Sequence, residues 1–143
     1  MNYRILIMGL PGAGKTTLAL NLINYFSPDV IWLNADEMRK KFNDWDFSHE
    51  GRIRQSRRMR EIADVSNKDY VIADFVCPLK EMRDIYDPDF LIWVDTIQEG
   101  RFEDTNRVFV PPEKYDVRVT EQDAGRWAKE IYEQISHKIQ SST

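Results

Sequence analysis

Cysteine is almost missing from this sequence. Cys77 is the only one in 143 residues, which excludes a disulfide framework and a cysteine-based zinc site within one chain. No apolar run approaches the roughly 20 residues needed to cross a bilayer, so no membrane partner is expected. The opening residues Met1-Asn2-Tyr3-Arg4 lead straight into a strand-like segment and lack a secretory pattern. With a reduced thiol, that sets the expectation of a cytoplasmic protein. Positive charge is not in excess either. The formal net charge is -4, so a nucleic-acid footprint is not evident over the whole chain. Arg52, Arg54, Arg57, Arg58 and Arg60 are crowded enough to leave a local one open. Internal repeats and low-complexity tracts are lacking, and the length fits one domain over residues 1–143.

What is present is an alternation of short apolar runs and helical stretches. Residues 3–8 read as a buried strand ending at Gly9. Residues 15–26 have helical character, with Leu18, Leu20, Leu22 and Ile23 as apolar contacts. A second strand covers 30–33, a short helix 36–42 and a turn 43–46. Ser48 is placed to cap a long helix running to about residue 65. A third strand covers 70–73 and ends in Asp74; a helix over 79–85 follows Pro78; a fourth strand covers 90–94 and ends in Asp95. Residues 96–112 have weak periodicity and many charges, and read as a loop or short lid. A fifth strand covers 116–119.

Thr120 with Asp123 makes a capping-box-like start for the last helix. Its Ala124, Trp127, Ala128, Ile131 and Ile135 repeat at helical spacing, and the tail from Gln140 to Thr143 is expected to fray. The pattern predicts an α/β fold of three layers, a five-stranded parallel sheet with helices on both faces. Ligands of such sheets sit beyond the carboxyl ends of the strands. Gly9, Asn34, Asp74 and Asp95 all lie there.

The strongest motif is Gly9-Leu10-Pro11-Gly12-Ala13-Gly14-Lys15-Thr16, a complete G-x-x-x-x-G-K-[ST] between a strand and a helix. Glycines let consecutive amides turn inward toward phosphate oxygens, and the positive end of the helix adds to the same place. Such a loop binds a nucleoside triphosphate. Lys15 is expected to reach the outer phosphates, and the Thr16 hydroxyl to bind Mg²⁺. No N-K-x-D base-reading motif of GTP-binding switches accompanies it.

Asp36 either caps the helix after strand two or offers a carboxylate to an acceptor hydroxyl or to the metal's water shell. Asp74 is placed as a Walker-B carboxylate or as a turn residue. Asp95 reads as structural. Arg54 and Arg58 share a helix face, while Arg39 and Arg52 point elsewhere. At least one of Arg39, Arg52 and Arg101 is expected to serve an anionic substrate, because guanidinium matches phosphate and sulfate geometry. Phe47 and Phe109 sit in polar surroundings, where each either stacks on a nucleobase or packs in the core.

The loop through Thr16-Thr17 closely resembles that of the adenylylsulfate kinase (APS kinase) family of P-loop kinases. Leu33-Asn34-Ala35-Asp36-Glu37-Met38-Arg39 is similar to the family's L-D-G-D-N-x-R, with Asn34 and Ala35 replacing the first aspartate and the glycine. Phe47-Ser48, Arg52, Gln55 and Arg57-Arg58 resemble F-S…D-R-x-x-N-x-R-R. Phe75-Val76-Cys77-Pro78-Leu79-Lys80 resembles F-I-S-P-Y-R, Val94-Asp95-Thr96 the family's V-D-T, and Asn106–Phe109 faintly K-G-F-T-G.

The resemblance implies ATP as donor, Mg²⁺ as cofactor and a small nucleotide-like acceptor, adenosine 5′-phosphosulfate phosphorylated at its 3′-hydroxyl. It is compatible with a homodimer. It implies that Gly9, Pro11, Gly12, Ala13, Gly14, Lys15, Thr16 and Thr17 cradle the donor. Asp36 would serve the acceptor hydroxyl and the metal, and Arg101 would close from the lid. Arg39 and Arg52 would hold the phosphosulfate, Phe47 and Phe109 would sandwich the adenine, and Gln55, Phe75, Val76 and Lys80 would complete the contacts. Thr16 and Asp36 would hold the metal, with Asp74, by its place at the end of the third strand and not by the resemblance, as a further candidate ligand. Two departures stand out: the lid is much shorter than the family's, and Asp74 occupies a position where the family has a small residue. A kinase for another hydroxyl (a nucleoside, a sugar or a polynucleotide end) and a nucleotide-binding regulatory module are the competing expectations.

Overall fold

The computed structural model describes residues 2–141. Its elements are β1 (Tyr3–Met8), α1 (Lys15–Phe26), β2 (Val30–Asn34), α2 (Ala35–Phe42), α3 (His49–Val65), β3 (Tyr70–Asp74), α4 (Lys80–Tyr86), β4 (Phe90–Val94), α5 (Glu103–Val108), β5 (Val117–Val119) and α6 (Ala124–Ser141). The strands form one sheet in the order β2-β3-β1-β4-β5, every neighbouring pair parallel. The expected three-layer α/β fold is thus observed.

Alternation along the strands divides the core in two. Successive side chains of a strand point to opposite faces. In β1, Ile5 and Ile7 enter a cluster with α1 and α6 residues such as Leu18, Leu22, Ala128, Ile131 and Ile135. Leu6 and Met8 enter the opposite cluster, with Ile53, Met59 and Ala63 of α3 and Met82 and Tyr86 of α4. Four β1 residues, Ile5 to Met8, are wholly buried, as a central strand covered on both faces must be.

Four local readings differ from the sequence expectation. The lid contains a helix, α5, whose Thr105 is buried. At six residues it is too short for apolar periodicity to register. The start of α6 is set by Asp123, whose Oδ1 accepts from the Arg126 amide at 3.5 Å; Thr120 takes no part in that cap. The last helix includes Gln140 and Ser141, and residues 142–143 of the expected frayed tail lie outside the described residues. Leu20, read as an apolar contact, faces outward on α1.

Ser48 does cap α3, its Oγ accepting from the Gly51 amide at 3.2 Å. Among the described residues, no helix is long and apolar enough to cross a membrane.

Candidate active site

The loop between β1 and α1 is built from backbone outward. A Cβ on Gly9 would overlap the Val94 carbonyl of the neighbouring strand, so only glycine allows that close approach. Gly14 precedes α1 at φ 105°, a left-handed conformation that side chains disfavour. No side chain caps α1 and no acidic residue occupies its first turn. The open amides and the positive helix end therefore face an incoming anion.

The Ala13 carbonyl is braced from behind by the Thr96 hydroxyl at 2.6 Å and by Gln122 Nε2 at 3.4 Å. Lys15 arches back over the loop and donates from Nζ to the Leu10 carbonyl at 3.0 Å. Burial pushes its ammonium pKa down to about 8; Asp74 and then Asp36 oppose that, and Arg101 reinforces it.

Asp74, at the end of β3, is only 2% exposed. Its Oδ2 accepts from Thr16 Oγ1 at 3.2 Å, Trp32 Nε1 at 3.3 Å and Asn34 Nδ2 at 3.1 Å. Burial raises its pKa, and the Asn34 hydrogen bond and the Lys15 charge lead the opposing effects. Asn34 also caps α2, its Oδ1 accepting from the Glu37 amide at 3.1 Å. The capping role weighed for Asp36 therefore belongs to Asn34. Asp36 is left as an exposed carboxylate on the wall of the site. Asn34 and Asp74 make physical sense together: an aspartate at 34 would set two carboxylates at hydrogen-bond distance, whereas the amide donates to its neighbour.

Both carboxylates, the Thr16 hydroxyl and Lys15 open into a cavity of about 740 Å³ that also takes in the α2–α3 junction and the lid. Arg39 and Arg52 also line it and are 4% and 6% exposed. Arg39 donates from Nη1 to the Asp44 and Asp46 carbonyls at 3.0 and 3.1 Å. Arg52 donates from Nε to the Phe47 carbonyl at 2.9 Å. Their guanidinium carbons lie 4.1 and 5.6 Å from the Phe47 ring centre. Burial lowers the pKa of both groups.

The Asp44 carboxylate, by contrast, is taken up by Arg54 and Arg58, each at 2.8 Å. Arg54 and Arg58, expected to share a helix face, thus meet at one carboxylate, while Arg39 and Arg52 line the cavity. Asp95 is structural, accepting twice from Arg118 at 2.9 and 2.6 Å.

Most of the residues expected at the site are brought together: Pro11, Gly12, Gly14, Lys15, Thr16, Thr17, Asp36, Arg39, Phe47, Arg52, Gln55, Asp74, Phe75, Val76 and Arg101 all line this cavity. Gln55 has its amide engaged, with Nε2 donating to the Ala35 carbonyl at 3.0 Å and Oε1 accepting from Arg58 at 2.8 Å. Gly9 and Ala13 belong to the loop but do not line the cavity. Two expected contacts lie elsewhere. Lys80 is exposed at the start of α4 and pairs with Asp84 at 2.9 Å. Phe109 packs against the α3–α4 core cluster. In its place Phe102 and Trp45, each 52% exposed, stand on the cavity wall. Phe102 follows Arg101 directly, a signal the sequence offered.

A phosphate-cradling loop at the carboxyl rim of a parallel sheet, facing a carboxylate and two buried guanidiniums, defines a P-loop kinase. The adenylylsulphate kinase family model matches residues 1–96. The chain belongs to the adenylylsulphate kinase family, whose members are ATP-dependent phosphotransferases acting on a hydroxyl.

Among solved structures it is similar to the Mycobacterium tuberculosis APS kinase CysC in complex with AMPPNP and APS, with a TM-score of 0.78 and 19% identity over 94% of this chain and 98% of that one. Shikimate kinase from Acinetobacter baumannii, in complex with shikimate, follows at TM-score 0.65 and 18% identity, covering 96% and 95% of the two chains. A gluconokinase from Sinorhizobium meliloti 1021 gives TM-score 0.69 at 11% identity, covering 99% and 97%. These likenesses attest the fold. Comparison with curated proteins gives no match.

Proposed function

We propose that this kinase transfers the γ-phosphoryl group of Mg-ATP to the 3′-hydroxyl of adenosine 5′-phosphosulfate. The observation that carries the acceptor is the pair Arg39 and Arg52, buried beside the Phe47 ring on the wall of the cavity that the phosphate loop also lines. Each guanidinium uses part of its donor set on backbone carbonyls, which fixes its plane and leaves further N–H groups for an anion. The Phe47 face, 47% exposed, suits a stacked base. Phe102, rather than the expected Phe109, supplies the second aromatic surface.

In the reaction, the acceptor oxygen bonds to the γ-phosphorus while the bond from that phosphorus to the β–γ bridging oxygen breaks. The acceptor's proton passes to Asp36. The loop amides and Lys15 hold the donor. The oxygen donors Thr16 Oγ1, Asp74 and Asp36 fit Mg²⁺, which takes few protein ligands alongside substrate phosphates and water. When bound, the ion would neutralise charge on the outer phosphates.

Calorimetry on the Mg-ADP-loaded protein tests the acceptor assignment. Adenosine 5′-phosphosulfate should bind far more tightly than adenosine, shikimate or gluconate, and Arg52→Ala should abolish the preference. Preferred binding of one of the others would replace this acceptor with that hydroxyl compound.

A further inference from the structure

We propose that Asn106 is a positioning residue that clamps the short lid onto the phosphate loop and so aims Arg101 at the donor's phosphates, with Gly100 as the point of contact. This rests on the kinase reading above and adds a device to it.

The lid is fastened at both ends. On its entry side the Thr96 hydroxyl holds the Ala13 carbonyl at 2.6 Å. On its exit side the Val110 amide donates to the Pro78 carbonyl at 2.7 Å. Arg83 bridges the Val110 and Cys77 carbonyls, each at 2.9 Å. Between these anchors the Asn106 amide closes a two-way bond with Gly100: Oδ1 accepts from the Gly100 amide at 2.8 Å, and Nδ2 donates to the Gly100 carbonyl at 3.0 Å. A primary amide offers donor and acceptor side by side on one plane; a carboxylate or an aliphatic chain does not.

Gly100 is seated on the phosphate loop itself. A Cβ there would come within 3.1 Å of both Pro11 Cδ and the Pro11 carbonyl oxygen. The segment enclosed by the clamp carries Arg101 and Phe102, both on the cavity wall, with the guanidinium 5.4 Å from the ring centre. Arg101 and Lys15 are like charges on the wall of one cavity, and the Arg101 charge already opposes that of Lys15 before any anion arrives. A rigid clamp meets that repulsion in advance, so a triphosphate finds both cations in place.

Calorimetry with a Mg-bound non-hydrolysable ATP analogue tests this on the unaltered chain, Arg101→Ala, Asn106→Ala, the double variant and Gly100→Ala, with thermal unfolding alongside. If Asn106 acts through Arg101, each single variant should weaken binding by about tenfold, roughly one charge-assisted hydrogen bond. The double variant should then be no weaker than Arg101→Ala alone. Gly100→Ala, whose Cβ would press on Pro11 at 3.1 Å and also approach Asn106 Oδ1 at 3.4 Å, should reproduce the loss if Asn106→Ala fails to fold. Unchanged binding by Asn106→Ala and Gly100→Ala, or losses that multiply in the double variant, would overturn the clamp. No triphosphate binding by the unaltered chain would instead strike the kinase reading beneath it.

Discussion

Lys15 sits nine-tenths buried with its pKa pushed down to about 8, burial being the leading cause. The unliganded site therefore sheds its proton as the pH passes about 8, while a bound triphosphate favours the charged form. Donor binding above about pH 8 should take up a proton and weaken as the pH rises. Calorimetry in two buffers of different ionisation enthalpy reads that uptake; binding without proton exchange would contradict it. Asn34 invites a second test. Asn34→Asp should remove the donor to Asp74 and create a close carboxylate pair, destabilising the fold near neutral pH by roughly 1–3 kcal/mol. Stability should recover as the pH falls and one carboxyl protonates, so thermal unfolding against pH checks the sign. At this scale residues 9–17 were legible because a glycine-rich loop writes its conformation locally. The linkage of Asn34, Trp32 and Thr16 through Asp74 was not, since it joins three separate chain segments.

The α2–α3 junction is the element on which the acceptor reading depends. Its turn carries Phe47 and lends the Asp44, Asp46 and Phe47 carbonyls to Arg39 and Arg52. Arg54 and then Arg58 hold the Asp44 carboxyl well below the usual range. A Cβ on Gly51 would overlap the Asp46 carbonyl. Gly51→Ala should displace this turn and weaken acceptor binding by about tenfold or more, the scale of one lost base stack, while sparing the donor. Parallel calorimetry with the two ligands separates the effects, and an equal loss for both would refute the division. Ser48 made the start of α3 readable in advance. The lid was harder: α5 is a six-residue helix whose placement comes from the Gly100–Asn106 bond and the Val110 anchor rather than from periodicity. Phe109 was expected at the site from its likeness to the family's K-G-F-T-G, and the structure packs it against the core instead.

For the whole molecule, alternating strand and helix signals were enough to give a parallel sheet with its polar rim, because each apolar run had to be buried on both faces. The strand order was not in that pattern; it follows from packing between distant segments. The family match ends at residue 96, where the short lid begins, so the phosphate loop and the α2–α3 junction lie within the match while the part given to Arg101 and Phe102 rests on geometry. Incubation with Mg-ATP and adenosine 5′-phosphosulfate, with products weighed by mass spectrometry, addresses both halves at once. The unaltered protein should yield the 3′-phosphorylated acceptor and ADP, and Asp36→Asn should slow that turnover by about 10²–10⁴-fold if Asp36 receives the proton. ATP consumption that neither requires the acceptor nor modifies it would contradict the account.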